Sequence, residues 1–228
     1  MPPVLSDIMS ETKQAQIRRR NDPEKRSTLR KSERTRQAIL DAALKFLWTQ
    51  PFRELTVAEL MSLAGTSRSA FYQYFEDLHD LMEALLRGMK QDIFDIASPW
   101  FQGEDDPIPL LEETMEGLVR VCYRQGPVLR AVSDAAPMDA RLEKAWTDFL
   151  KDFDDAVTNR IEQHQAAGLI KPFDARPVAM ALNRMDAYLL IHHFGRRPRG
   201  NQKSVLEALL RVWISTLYGE HTLQSLNS

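Results

Sequence analysis

A chain of 228 residues, 43% hydrophobic and 27% charged, has the composition of a soluble globular protein with apolar material for one or two cores. Cys122 is the single cysteine, which rules out an intramolecular disulfide and suits a reducing compartment. No apolar run nears the roughly 20 residues of a membrane helix and no apolar secretory leader opens the chain, so a cytoplasmic protein without a membrane partner is expected.

The net charge of −2 hides an asymmetry. Ten cations lie between Lys13 and Arg36 against three acids, so this segment is near +7 and the remainder near −9. Residues 1–31 carry no hydrophobic period and read as a basic, mobile arm, helical at most near its end. Ser32 is placed to cap a first helix with the stripe Ile39, Leu40, Ala43, Phe46 and Leu47, ended before Pro51.

The next stretch, TVAELMSLAGTSRSAFYQYF, has helix-turn-helix grammar. Thr56 and Glu59 have capping-box spacing, and Val57, Leu60, Met61 and Ala64 share one helical face. Gly65 provides the positive φ of a sharp turn, and Thr66 or Ser67 restarts a helix as N-cap. That second helix shows Arg68, Ser69, Tyr72 and Gln73 on one side and buries Ala70, Phe71, Tyr74 and Phe75 on the other. Small polar and cationic groups at the front of a helix held by its back suit a DNA major groove.

Asp77 caps a longer helix with Leu78, Leu81, Met82, Leu85, Leu86 and Met89 on one face, ending near Ser98 before Pro99. Gly103 to Pro107 reads as a loop. Helical periodicity then predicts Leu110 to Tyr123, a break at Gly126-Pro127, a short helix from Val128 to Ser133, and a second break at Ala136-Pro137. Further helices are predicted from Asp139 to Ala167, ended by Gly168, from Asp174 to Phe194, and from Lys203 to Gly219. No alternating strand is found, so the reading is all-α with about nine helices. Residues 32–80 would form a DNA-binding domain and 81–228 a helical ligand-binding and dimerisation domain. The helix from Asp174 is apolar on two sides, which asks for cover on two sides. It and the final helix could pack on their copies in a two-fold dimer; the plainer alternative is a larger monomer core.

The pattern Thr56-Val57-x-x-Leu60-x-x-x-Ala64-Gly65-x-Ser67-x-x-x-Phe71-Tyr72-x-Tyr74-Phe75 resembles the TetR family of bacterial transcriptional regulators. The C-terminal part resembles its EthR branch, through Ala181-Leu182-Asn183-x-Met185 and Val212-Trp213-Ile214-Ser215-x-Leu217-Tyr218-Gly219-Glu220. The resemblance implies a homodimer on a palindromic double-stranded operator, and a fourth helix that acts as a lever under an apolar effector. It also adds Thr66 and Tyr74 to the DNA contacts. Two departures stand out. The lysine that family members place at the start of the fourth helix is replaced here by Leu78, with His79 beside it. Aromatic positions of the EthR-type pocket are aliphatic, as at Leu111 and Leu118, so the ligand does not carry over.

The expected DNA contacts are Arg34, Arg36, Thr56, Val57, Thr66, Ser67, Arg68, Ser69, Tyr72, Gln73, Tyr74 and His79. Arg68 would read guanine through its fork, while Thr56, Ser67 and Tyr72 would hold phosphates. For the polar group Asn183, Asp186 and Trp213 two readings stand: a satisfied interhelical or interface hydrogen bond, or the anchor of an apolar pocket. The resemblance favours Asn183 as anchor, with Leu111, Met115, Leu118, Trp146, Phe149, Leu150, Tyr188 and Phe194 as further lining. His192 and His193 point about 100° apart on a helix and cannot share a metal, so neither metal nor cofactor is expected. The basic loop Gly195 to Gly200 reads as a solvated turn. No nucleophile elbow, phosphate loop or dinucleotide fingerprint is present, which argues against an enzyme. The reading is a repressor released by an apolar effector; an activator, an effector-independent repressor, or a helical interaction protein with a basic arm are the alternatives.

Overall fold

The computed structural model describes residues 23–219; the expected arm up to residue 22, and residues 220–228, lie outside it. The described residues form eight α-helices and no strand. They are α1 (Pro23–Leu47), α2 (Val57–Ala64), α3 (Arg68–Phe71), α4 (Leu78–Gln102), α5 (Pro107–Ala135), α6 (Ala140–Ala166), α7 (Ala175–Phe194) and α8 (Gln202–Leu217). Helices α1 to α3 and the start of α4 enclose one apolar centre, built from Ile39, Ala43, Phe46, Leu47, Leu60, Met61, Phe71, Phe75 and Leu81.

Helix α1 begins at Pro23, not at a Ser32 cap. Proline suits a first helical position, where its missing N–H costs nothing. Arg, Lys and Glu favour helix without an apolar stripe, which is why the period alone placed the start late. Helix α4 is also longer than expected and runs through Pro99 to Gln102. Its inner face continues past Met89 to Ile93, Ala97 and Trp100.

The larger correction is α5. The expected break at Gly126-Pro127 does not occur; one helix of 29 residues runs through both. Gly126 is there for space: a Cβ would lie 2.4 Å from the carbonyl oxygen of Phe194 at the end of α7. Pro127 has no N–H for the carbonyl of Tyr123 one turn back. Arg199, in the loop between α7 and α8, donates Nη1 to that oxygen at 2.8 Å. Two short expected helices are therefore one, and nine become eight.

Helices α4 to α8 share a second apolar centre. Phe149, Leu150, Val157 and Ile161 of α6 meet Ala179, Leu182 and Leu190 of α7, with Trp213 of α8 and Trp100 of α4 below them. Trp100 and Trp213 meet edge to face, ring centres 5.7 Å apart. Asp139 caps α6, accepting the amides of Arg141 and Leu142. Gly168 sits at φ 75° just past its end, where the amide of Leu169 returns to the carbonyl of His164. On α7 only one face is fully buried, that of Ala175, Ala179, Leu182, Asp186, Leu190 and Phe194. Met180, Tyr188 and, on α8, Val212 stay exposed.

Candidate nucleic-acid interface and ligand cavity

Thr56 caps α2, its hydroxyl accepting the amide of Glu59 at 3.2 Å. Among the described hydrogen bonds the reciprocal one, from the Thr56 amide to the Glu59 side chain, is not formed, so the capping box is half made. Gly65 is left-handed at φ 64°, ψ 34°, and its N–H reaches back to Met61 and Ser62. The next amide, of Thr66, also bonds Met61, and the chain turns there. Ser67 then caps α3 by accepting the amide of Ala70 at 3.3 Å.

Helix α3 itself is short, Arg68–Phe71, and continues as a hydrogen-bonded turn to Phe75. Phe71 and Phe75 are buried behind it and fix its seat. Ser67, Arg68, Ser69, Tyr72 and Gln73 are exposed on its front. Arg68 reaches the Tyr72 hydroxyl at 3.4 Å and lies over that ring, so the two side chains form one projecting unit. The hydroxyls of Ser67 and Ser69 are 2.8 Å apart. Arg34 and Arg36 are exposed midway along α1, and the guanidinium of Arg36 covers the Phe75 ring at 5.3 Å.

The remaining expected contacts sit differently. Val57 and Tyr74 are half-buried against the core, and Thr66 is half-buried in the turn. His79 is turned into the junction with the second domain. Its Nε2 is 3.1 Å from Asp139 at the start of α6, and its ring meets Phe52 edge on. Arg141 of α6 reaches back to Asp77 at 2.8 Å and Glu83 at 3.1 Å. The Asp80 amide, with Arg141, holds the Asp77 carboxyl below its ordinary range. The start of α4 is thus pinned to the start of α6.

A second bridge joins the domains. Arg197 and Arg199 lie over the Trp48 ring, just past α1, at 5.3 and 5.2 Å. Arg199 also lies 3.6 Å from the centre of the Tyr123 ring. The basic loop read as a solvated turn is a clasp between α1 and α5. Nothing in its own residues signals this; the signal is Pro127, whose orphaned carbonyl partner requires a donor.

Between α4, α5, α6, α7 and α8 lies a cavity of about 640 Å³, counting the open space at its mouth. Of the expected lining residues, Met115, Leu118, Phe149, Leu150, Asn183, Asp186 and Trp213 are on its wall. Leu111 is buried away from it, Trp146 stacks behind Phe149, and Phe194 packs at the end of α7 beside Tyr123 and Gly126. Tyr188 is 70% exposed on the opposite face of α7. The sequence reading missed Ile93, Ala97 and Phe101, the contribution of α4 to the wall. Their signal is the helical period continuing past Met89.

The cavity is apolar apart from a few groups. Asn183 gives its amide nitrogen to Asp154 at 2.9 Å, and Arg184 grips both oxygens of Asp154. A carboxylate so paired only accepts, so the Asn183 amide cannot be reversed and its carbonyl oxygen is left as an acceptor. Trp213 Nε1 donates to both oxygens of Asp186, at 3.0 and 3.2 Å. Burial drives the Asp186 carboxyl up to about 7, against the pull of the Trp213 bond. Cys122 is fully buried beside it, its thiol pushed up by burial and by Asp186, and serves as a small apolar wall group. Among the described residues no helix is long and apolar enough to cross a membrane.

Two family models match the chain: "Bacterial regulatory proteins, tetR family" over residues 39–85, and "Transcriptional regulator EthR, C-terminal domain" over residues 111–219. The transcriptional regulator EthR of Mycobacterium tuberculosis is 27% identical over 208 residues, covering 87% of this chain and 94% of its own. A TetR-family regulator from Rhodococcus sp. superposes with a TM-score of 0.67 at 20% identity, over 81% of this chain and 99% of that one. AibR, solved with isovaleryl coenzyme A and operator DNA, superposes with a TM-score of 0.60 at 13% identity, over 81% and 98%. With a helix-turn-helix at one end, an EthR-type helical domain at the other and relatives that span nearly all of it, this chain belongs to the TetR family of DNA-binding transcriptional regulators.

Proposed function

We propose that the chain is a homodimeric repressor that holds a palindromic operator through the front of α3 and leaves it when a small, mostly apolar effector enters the cavity. The observation that carries this reading is the course of α4. Its cap, Asp77, follows two residues after Phe75, which seats α3. About four turns on, the same helix gives Ile93, Ala97 and Phe101 to the cavity wall. A ligand pressing on that wall acts on the helix that positions α3. In a dimer the two reading helices must match half-sites about 34 Å apart, so a small rotation of α4 is enough to spoil the match. The ligand shifts the equilibrium by its preference for the spread form alone.

In this assignment Arg68 reads a base edge from the front of α3, with Tyr72 and the serines 67 and 69 beside it on phosphates. Arg34 and Arg36 add phosphate contacts from α1. The exposed Met180 and Tyr188 of α7 and Val212 of α8 support dimerisation through these helices, since they are large apolar groups on adjacent elements.

The test is a mobility-shift titration with the DNA upstream of the chain's own gene, paired with transcript levels in a deletion strain. Arg68→Ala with Tyr72→Ala is expected to abolish specific binding while the melting temperature holds, and deletion is expected to raise transcription. Retained specific binding would displace α3 from the groove, and a fall in transcription would make the chain an activator.

A further inference from the structure

Two buried carboxylates on neighbouring helices are treated in opposite ways. Asp154 of α6 is 2% exposed and fully matched, by both nitrogens of the Arg184 fork and by Asn183. Asp186 of α7 is 6% exposed and lines the cavity. Among the described residues it has one donor, the Trp213 N–H shared between its two oxygens. A carboxylate offers about four acceptor positions, so most of its capacity is unused. No lysine, arginine or histidine lines the cavity.

The other polar wall groups have the same character. Asn183 stands one turn before Asp186 and, with its amide nitrogen turned to Asp154, offers its carbonyl oxygen. The Thr114 hydroxyl of α5 is buried at the wall with no hydrogen-bond partner. Two acceptors and a hydroxyl, with the indole N–H and one Asn183 N–H already used, face a space otherwise walled by Met, Phe, Leu, Ile, Val, Ala and Cys. A neutral lipid would leave Asp186 short of a partner. An anionic one would set like charges together in a low-dielectric space. A compact head with several N–H donors and a positive charge satisfies all of these groups at once.

We infer that the effector is a lipophilic primary amine, its ammonium held by Asp186 with Asn183 and Thr114 beside it and its alkyl body along α4 and α6. This rests on the cavity being the effector site. The groups that face Asp186 are few. From α5 there is Cys122; the walls from α4, α6 and α8 carry no titratable group, and Asp154 of α6, off the wall behind Asn183, is paired with Arg184.

The experiment compares decylamine, 1-decanol and decanoate by thermal shift and calorimetry on the full chain and on Asp186→Asn, which keeps an acceptor for Trp213. Decylamine is expected to bind about tenfold or more tightly than decanol, because it adds an ion pair and further N–H donors to the single O–H that decanol can give Asp186, and decanoate least of all. In Asp186→Asn decylamine should fall to the decanol level while decanol is unchanged. Decylamine affinity in the parent chain should rise from pH 6 to pH 8, because the amine stays charged and the carboxyl must ionise; in the variant it should be flat. Equal binding of decanol and decylamine, or a preference that survives Asp186→Asn, overturns the amine assignment and leaves the cavity as effector site. If none of the three binds, the effector-site reading falls with it.

Discussion

Arg199 occupies the bonding position that Pro127 cannot fill: its Nη1 lies 2.8 Å from the carbonyl oxygen of Tyr123, one turn before the proline. The same guanidinium stacks on the Tyr123 ring and faces Trp48 of the DNA-binding domain. A proline that should interrupt α5 is thereby tolerated, and the repair doubles as a link between the domains.

Arg199→Ala should therefore cost far more than its partly exposed position suggests. It removes a charged hydrogen bond, worth about 1.5–3 kcal/mol, and two cation–π contacts, each worth about 0.5–1 kcal/mol. Arg199→Lys should recover only part of this, since an ammonium cannot serve ring and carbonyl with one planar fork. Arg197→Ala, an exposed residue over Trp48, should lose that cation–π contact and little else, about 0.5–1 kcal/mol. Urea midpoints of the three variants check the order; an Arg199→Ala chain as stable as its parent would mean that Tyr123 finds another donor.

Gly126 and Gly88 look alike in sequence, each within a helix, and should respond oppositely to alanine. At Gly126 the new Cβ meets the Phe194 carbonyl at 2.4 Å, a backbone atom that cannot swing away. Gly126→Ala should cost about 1–3 kcal/mol. At Gly88 nothing lies within 4 Å of the added carbon. Gly88→Ala should gain about 0.5–1 kcal/mol, because alanine loses less backbone freedom on folding. Thermal melts of both decide it.

How far the sequence discloses this molecule depends on how local the cause is. The Thr56 cap, the Gly65 turn and the Ser67 cap are each set by residues within four positions, and all are legible. The continuity of α5 is not: Gly126-Pro127 is a helix breaker by every local rule, and only Phe194 and Arg199, far along the chain, explain its presence. His79 shows the same limit, since its partner Asp139 lies 60 positions away. In the cavity, the polar group Asn183, Asp186 and Trp213 was legible from its cost in an apolar helix. Of the two readings for it, the interhelical bonds of Asn183 and Trp213 are in place, while the anchor rests on the proposal for Asp186, which faces the cavity. Tyr188 misled because α7 is apolar on two sides and only one faces inward.

The outward side of α7 sets up the dimer test. Met180, Tyr188 and Val212 are 40%, 70% and 38% exposed. Met180→Glu with Tyr188→Glu should convert a dimer to a monomer by light scattering, because charges buried at an interface without partners are strongly unfavourable. The monomer should retain helical content and lose high-affinity operator binding, which needs two half-sites. A dimer that persists in this variant would move the interface off these helices.

The last prediction concerns acid. Trp100 Nε1 donates to the Tyr218 hydroxyl oxygen at 3.3 Å, and that hydroxyl lies 3.0 Å from His164 Nδ1. Burial, helped by the charge of nearby Arg160, lowers the His164 pKa from 6.5 to about 4. The unfolded chain takes up this proton at higher pH than the folded one, so its contribution is unaffected above pH 6.5 and stability is lost as the pH falls from there toward 4. At pH 5 the loss should reach roughly 2 kcal/mol. His164→Gln keeps a hydrogen-bond partner for Tyr218 and removes the titration. Asp186 works in the opposite direction, stabilising as it protonates below about 7, but it is common to both chains. The difference between parent and His164→Gln in urea midpoints at pH 7.5 and pH 5 therefore isolates the histidine. The parent should lose more stability on acidification than the variant; equal losses would mean that His164 is already charged, or already released, in the folded protein.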